Sequence, residues 1–169
     1  MSGLMDDAFT HHAWATLRLI DSCLALDPQQ LDATVPGTYG SISDTMRHLV
    51  GGDSFYLTCI GSDEAPEVDT EQMDLVELRA AMEANAARWS AFLGESPSAD
   101  RLILEIDPDD GFQRNATVGL RLAQALHHGT DHRSQICTAL STLGVALPSI
   151  DVWDFGSETG RSTETTPDP

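Results

Sequence analysis

Apolar residues recur every three to four positions through four long stretches of the chain, the spacing of amphipathic helices. The first stretch runs from about Asp6 to Leu26, with Phe9, Ala13, Leu17, Ile20 and Leu24 on one stripe. It ends at Asp27-Pro28, because proline cannot continue a helix. After the turn-forming run Val35-Pro36-Gly37-Thr38-Tyr39-Gly40, a second helix is predicted from near Ser41. There Ser41-Ile42-Ser43-Asp44 has the form of a capping box. Ile42, Met46, Leu49, Asp53, Tyr56 and Ile60 follow at helical spacing, and Gly61 closes the segment. An acidic loop, Ser62 to Thr70, leads to a third helix over about Met73 to Leu93, with Leu75, Leu78, Met82, Ala86 and Trp89 inward.

The period then changes. Arg101 to Ile106 and Phe112 to Thr117 read as two short strands around the turn Asp107-Pro108-Asp109-Asp110-Gly111. A fourth helix spans about Val118 to Leu143 and stops at Gly144, with Val118, Leu122, Ala125, Gly129, Ile136, Leu140 and Leu143 as its core stripe. A final helical turn is expected around Ser149 to Phe155. The Ser/Thr/Glu/Pro-rich tail from Gly156 to Pro169 is expected to be disordered. The expectation is an all-α fold: one four-helix bundle domain over residues 1–155, with a short β-hairpin between its third and fourth helices.

Composition narrows the function classes. The formal net charge is −18 and every basic residue is arginine. Such a surface repels phosphate backbones and anionic lipid, which argues against nucleic acid and membrane partners. No apolar run approaches the roughly 20 residues of a membrane span, and the N-terminus lacks a basic segment followed by an apolar one. Three widely spaced cysteines, Cys23, Cys59 and Cys137, fit reduced, buried thiols in a cytoplasmic protein.

The chemistry concentrates in His128-Gly129-Thr130-Asp131-His132-Arg133. Residues four apart rise about 6 Å along a helix and leave the same face, so the imidazoles of His128 and His132 can share one metal ion. A histidine on a core face is more often a satisfied polar residue than a ligand, but helix packing has little use for a matched pair. His48 is the best third ligand: it flanks the apolar stripe of the second helix beside Gly52. Gly51-Gly52 can leave room for an ion or ligand, or serve as a close-packing or kinking device. Asp44 can hold the His48 ring or cap the helix, and the cap is the assignment adopted. His127 is expected in solvent. His11 and His12 are also expected to be exposed, with His12 a distant alternative ligand. Glycine follows His128, so the His-Glu-x-x-His pattern of a zincin peptidase is absent.

With these residues in view, the chain resembles the DinB/YfiT-like superfamily of small metal-binding four-helix bundles. The resemblance rests on His11-His12-Ala13-Trp14, on Gly40-Ser41-Ile42 leading into Met46-Arg47-His48-Leu49, and on His128-x-x-x-His132-Arg133-x-Gln135. It covers roughly residues 6 to 155. It implies a divalent metal, zinc or nickel most often, held by His48, His128 and His132, and a homodimer. Characterised branches include transferases that use bacillithiol or mycothiol, and a mycothiol-dependent isomerase.

The leading expectation is therefore a metal-dependent thiol S-transferase. In it a low-molecular-weight thiol binds the open metal as thiolate and attacks an electrophilic small molecule. The lysine-free composition fits a GC-rich genome and makes mycothiol the first thiol to test. Arg133 can orient a carboxylate of cofactor or substrate, although a salt bridge to a bundle carboxylate is the more ordinary reading. The alternatives are a metal-dependent hydrolase, for which no general base stands out, an isomerase, and a non-catalytic, stress-related metal-binding dimer.

Overall fold

The computed structural model describes residues 3–61, 67–106 and 111–165. Its elements are α1 (Asp6–Cys23), α2 (Pro28–Leu31), α3 (Ile42–Cys59), α4 (Leu75–Gly94), β1 (Leu102–Ile106), β2 (Gln113–Thr117), α5 (Val118–Thr142) and α6 (Val152–Glu158). The four long helices form the bundle, with α1 packed mainly on α4 and α3 mainly on α5. The antiparallel hairpin lies between α4 and α5, with Leu102 opposite Thr117 and Ile106 opposite Gln113. The expected turn at Asp107–Asp110 and the expected loop at 62–66 lie outside the described residues.

Local chemistry sets the helix boundaries. Ser41 caps α3 as expected: its hydroxyl accepts from the Asp44 N–H, and the Asp44 carboxylate accepts from the Ser41 N–H. Asp74 and Glu77 build the same device at α4. Thr117 caps α5, and Gly144 follows its last turn with φ 71°, a backbone geometry glycine adopts without penalty. The Asp27-Pro28 step also does more than end a helix. Proline at the first helical position and an Asp27–Gln30 capping box start the short α2, which hydropathy does not reveal.

The core differs from expectation in the phase of α1. Leu24 is exposed and Leu17 only half-buried, while His12, Ala15, Thr16, Leu19 and Cys23 are buried beside Phe9, Ala13 and Ile20. The inward face is thus rotated toward two polar residues. They tolerate burial because each is hydrogen-bonded; the Thr16 hydroxyl, for example, donates to the His12 carbonyl. The C-terminal segment also differs: α6 runs through Gly156 to Glu158, past the expected start of the tail. Beyond it the Gly156 carbonyl accepts from Arg161 and Ser162, and Glu158 pairs with Arg18 of α1. Among the described residues, no helix is long and apolar enough to cross a membrane.

Candidate metal centre

His48 on α3 and His128 and His132 on α5 converge, each offering one ring nitrogen, all within 4.8 Å of one another. The Nε2 atoms of His48 and His128 stand 3.2 Å apart. Two nitrogens of a tetrahedral site with bonds near 2.05 Å lie about 3.3 Å apart, so this separation fits a shared first-row ion. Among the described residues, no fourth histidine, cysteine or carboxylate joins the group. Three protein donors are the number used by catalytic zinc-type sites, whereas structural sites use four.

Each ring is held by named neighbours. Gly52 makes the space for His128: a Cβ at that position would stand 2.4 Å from His128 Cε1. The structure uses this glycine for close packing, and the group packed against it is the His128 imidazole. His132 Nδ1 donates to Gln135 Oε1 at 3.2 Å, which leaves Nε2 of that ring as the free lone pair. The same Gln135 oxygen accepts the Tyr39 N–H at 2.9 Å. Tyr39 is thereby laid over His48, with ring centroids 4.1 Å apart and an interplanar angle of 14°. Tyr56 meets His128 edge-on, with its hydroxyl held by Gln124. Asp44 serves the cap, its carboxylate accepting from the N–H and hydroxyl of Ser41.

The electrostatics favour the ligating form. Burial, then the neighbouring His132 and His48, pushes the His128 pKa down to about 4, and burial with His132 lowers that of His48. Neutral imidazoles are what a metal requires. The protein's own thiols are poor nucleophiles at neutral pH, since burial raises Cys23 to about 12 and also raises Cys59 and Cys137. A cleft of about 420 Å³ opens beside His48, lined by Tyr39, Gly40, Asp44, Thr70 and Glu71. Glu71, which sequence reasoning missed, is an exposed carboxylate in its wall.

The other histidines separate clearly. His127 is exposed, as expected, and His11 is half-buried, its Nε2 donating to the Ile150 carbonyl. His12 corrects the expectation of exposure: it is 1% exposed, and it is outside the ligand group. Its Nε2–H donates to Asp53 Oδ1 at 3.0 Å, and its Nδ1 accepts from Arg133 at 2.9 Å. Trp89 Nε1 donates to the other Asp53 oxygen at 3.0 Å. Arg133, His12, Asp53 and Trp89 thus form one buried chain through α5, α1, α3 and α4. Gly129 seats the His12 ring, since a Cβ there would stand 2.2 Å from His12 Cε1.

This chain also corrects the salt-bridge reading of Arg133. Its guanidinium donates to His12, Thr16 and Thr130, and Asp53 is reached only through the imidazole. Burial lowers the Arg133 pKa to about 10 against the pull of Asp53, so the group stays cationic at neutral pH. The clue in the sequence was Asp53 itself, an acid on an otherwise apolar stripe that demands a buried partner.

Comparison with known proteins agrees with this architecture. YfiT from Bacillus subtilis, described as a probable metal-dependent hydrolase with an unusual four-helix bundle topology, superposes with a TM-score of 0.62 at 15% identity. The match covers 86% of this chain and 91% of that one. No curated protein sequence matches significantly. The DinB family model matches residues 1–165, and with the fold and the histidine triad in place, the chain belongs to the DinB family.

Proposed function

We propose that this protein is a metal-dependent enzyme that activates a small exogenous nucleophile at His48, His128 and His132, with a low-molecular-weight thiol as that nucleophile. One observation carries the reading: three imidazoles converge, and among the described residues no fourth histidine, cysteine or carboxylate joins them. A divalent cation, zinc or nickel, supplies the Lewis acidity that ionises a thiol at neutral pH. The chain's own part is to hold the rings. Gly52 admits the His128 ring, Gln135 fixes the His132 tautomer, and Tyr39 covers His48. The thiol sulfur forms a bond to an electrophilic carbon while that carbon's leaving group departs, and the thiol proton passes to solvent or Glu71. Because Asp44 and Glu71 line the cleft, the favoured electrophile is neutral or cationic. The elevated thiol pKa values of the three cysteines support a thiol brought from outside.

The reading extends to a homodimer working in the cytoplasm on small molecules, with mycothiol the first thiol to test and neither nucleic acid nor membrane as partner. The net charge of −18 supports the last point. A second reading is hydrolysis, favoured by the Glu71 carboxylate beside His48, which can serve as general base toward water. One experiment separates the two. Metal-loaded protein is assayed against model electrophiles with mycothiol, bacillithiol, glutathione and cysteine, and against model esters without thiol. Acceleration of thiol consumption that is lost in His128→Ala supports transfer. Ester cleavage without thiol, abolished by Glu71→Gln, supports hydrolysis instead.

A further inference from the structure

A cavity of about 770 Å³, larger than the cleft at His48, lies between α1, α5 and the C-terminal segment from Ile150 to Ser162. On α5 its wall is Leu126, Thr130, Arg133, Ser134 and Cys137. At 100° per residue these positions centre on the side of the helix opposite His128 and His132. The metal ligands do not line it.

The two buried arginines of α5 differ in one respect. Both are 5% exposed. Arg121 meets the Glu105 carboxylate directly, with its charge neutralised on the spot. Arg133 has only neutral hydrogen-bond acceptors: His12 Nδ1 at 2.9 Å, Thr16 Oγ1 at 3.1 Å, Thr130 Oγ1 at 3.3 Å and the His12 carbonyl at 3.4 Å. Among the described residues no carboxylate is in ion-pair contact with it. A buried cation without a contacting anion is costly, and here it stands in the wall of a cavity. Much of the remaining wall is apolar, with Leu126, Ile150, Val152, Trp153 and Phe155, and its polar part includes His11 and Asp7. Arg161 also lines the cavity but is paired with Asp7 at 3.1 Å.

We propose that this cavity is a second ligand site, separate from the metal centre, for a monocarboxylate with an apolar body, such as an aryl- or alkyl-carboxylic acid. The carboxylate supplies the direct ionic contact that Arg133 lacks, its charge partner Asp53 being reached only through His12, and the hydrocarbon lies against Trp153, Phe155 and Ile150. The volume falls in the range of small-molecule sites, roughly 300–1,000 Å³. A single negative charge is favoured over a phosphate dianion because only one cation without a directly contacting carboxylate, Arg133, faces the space and the whole chain is strongly acidic. The inference does not depend on the metal reading.

The test is calorimetric titration of the full chain with 3-phenylpropionate and with its neutral amide, alongside the Trp153 indole resonance in NMR spectra. Substituting Arg133 breaks the buried chain through the bundle, so the charge is altered instead at its exposed neighbour. Ser134→Asp places a carboxylate on the same wall without touching the core. The acid is expected to bind at least tenfold more tightly than the amide and to shift the Trp153 resonance. Ser134→Asp is expected to weaken the acid at least tenfold and leave the amide unchanged, while His128→Ala and chelator leave both unchanged. Equal binding of acid and amide, binding of neither at millimolar concentration, or no effect of Ser134→Asp overturns the proposal. Loss of acid binding in His128→Ala also overturns it, by moving the site to the metal centre.

Discussion

The Cα of Gly52 faces the imidazole of His128 so closely that a single methyl group would stand 2.4 Å from the ring. A contact that short forces the ring or the helix to move, because a packed interior has no slack of this size. The glycine on α3 therefore determines where the His128 ring on α5 points. Gly52→Ala is expected to weaken metal binding at least tenfold, on the scale at which misplacing a ligand acts, while the helical content is retained. Competition with a chromophoric chelator measures the first quantity and circular dichroism the second. Unchanged metal affinity contradicts the assignment of His128 as a ligand.

Gln135 joins His132 Nδ1 to the backbone of Tyr39. Gln135→Leu removes the acceptor that fixes the His132 tautomer and frees the loop that lays Tyr39 over His48. A loss of about tenfold in metal affinity is expected, with Gln135→Glu restoring most of it because a carboxylate oxygen accepts both bonds. If Gln135→Glu binds metal no better than Gln135→Leu, the side chain acts through bulk and not through its oxygen.

The buried chain from Arg133 to Trp89 ties the four bundle helices together, and its middle is the His12–Asp53 bond of 3.0 Å. His12→Ala leaves both Asp53 and Arg133 buried without their shared partner. Breaking a buried charged network by removing one member costs about 3–5 kcal/mol, which is a large part of the stability of a single domain. Urea unfolding of His12→Ala, Asp53→Asn and the double variant should show strong non-additivity, because either change alone already breaks the chain. Simple addition of the two losses contradicts the network.

The pH dependence of the metal-free protein follows from His128. Its pKa in the fold is about 4, below the 6.5 of a free histidine, because burial and the other two rings oppose the proton. The unfolded chain therefore takes up that proton first as pH falls. The His128 contribution to stability is intact above pH 6.5, declines below it and is gone near pH 4. Stability measured by urea titration between these limits should fall with acidification, and His128→Gln should flatten that slope. Bound metal should shift the decline to lower pH, since it holds the imidazoles neutral.

The parts of this site legible in the sequence are those governed by local spacing. His128 and His132 share a helix face by periodicity alone, and Ser41 and Asp44 announce the start of the helix that carries His48. The Leu102–Ile106 and Gln113–Thr117 strands were visible in the same way. The chain from Arg133 through His12 and Asp53 was not, because its members come from different helices and its geometry depends on the phase of α1. Hydropathy placed Leu17 and Leu24 inward and His12 outward. The fold inverts this because His12 and Thr16 find partners inside, whereas Trp14 packs at a tilt against Phe155 of α6 and carries Arg18 over its ring. Tertiary hydrogen bonding decides such cases, and a single-residue hydrophobicity scale does not contain it.

The central claim, an open three-histidine metal centre that takes a thiol, is tested most directly by X-ray absorption on the metal-loaded protein before and after addition of mycothiol. The account predicts three nitrogen scatterers near 2.0–2.1 Å in both states and one new sulfur scatterer near 2.3 Å when the thiol is present. A spectrum with fewer than three imidazoles, or one in which no sulfur enters at saturating thiol, contradicts it.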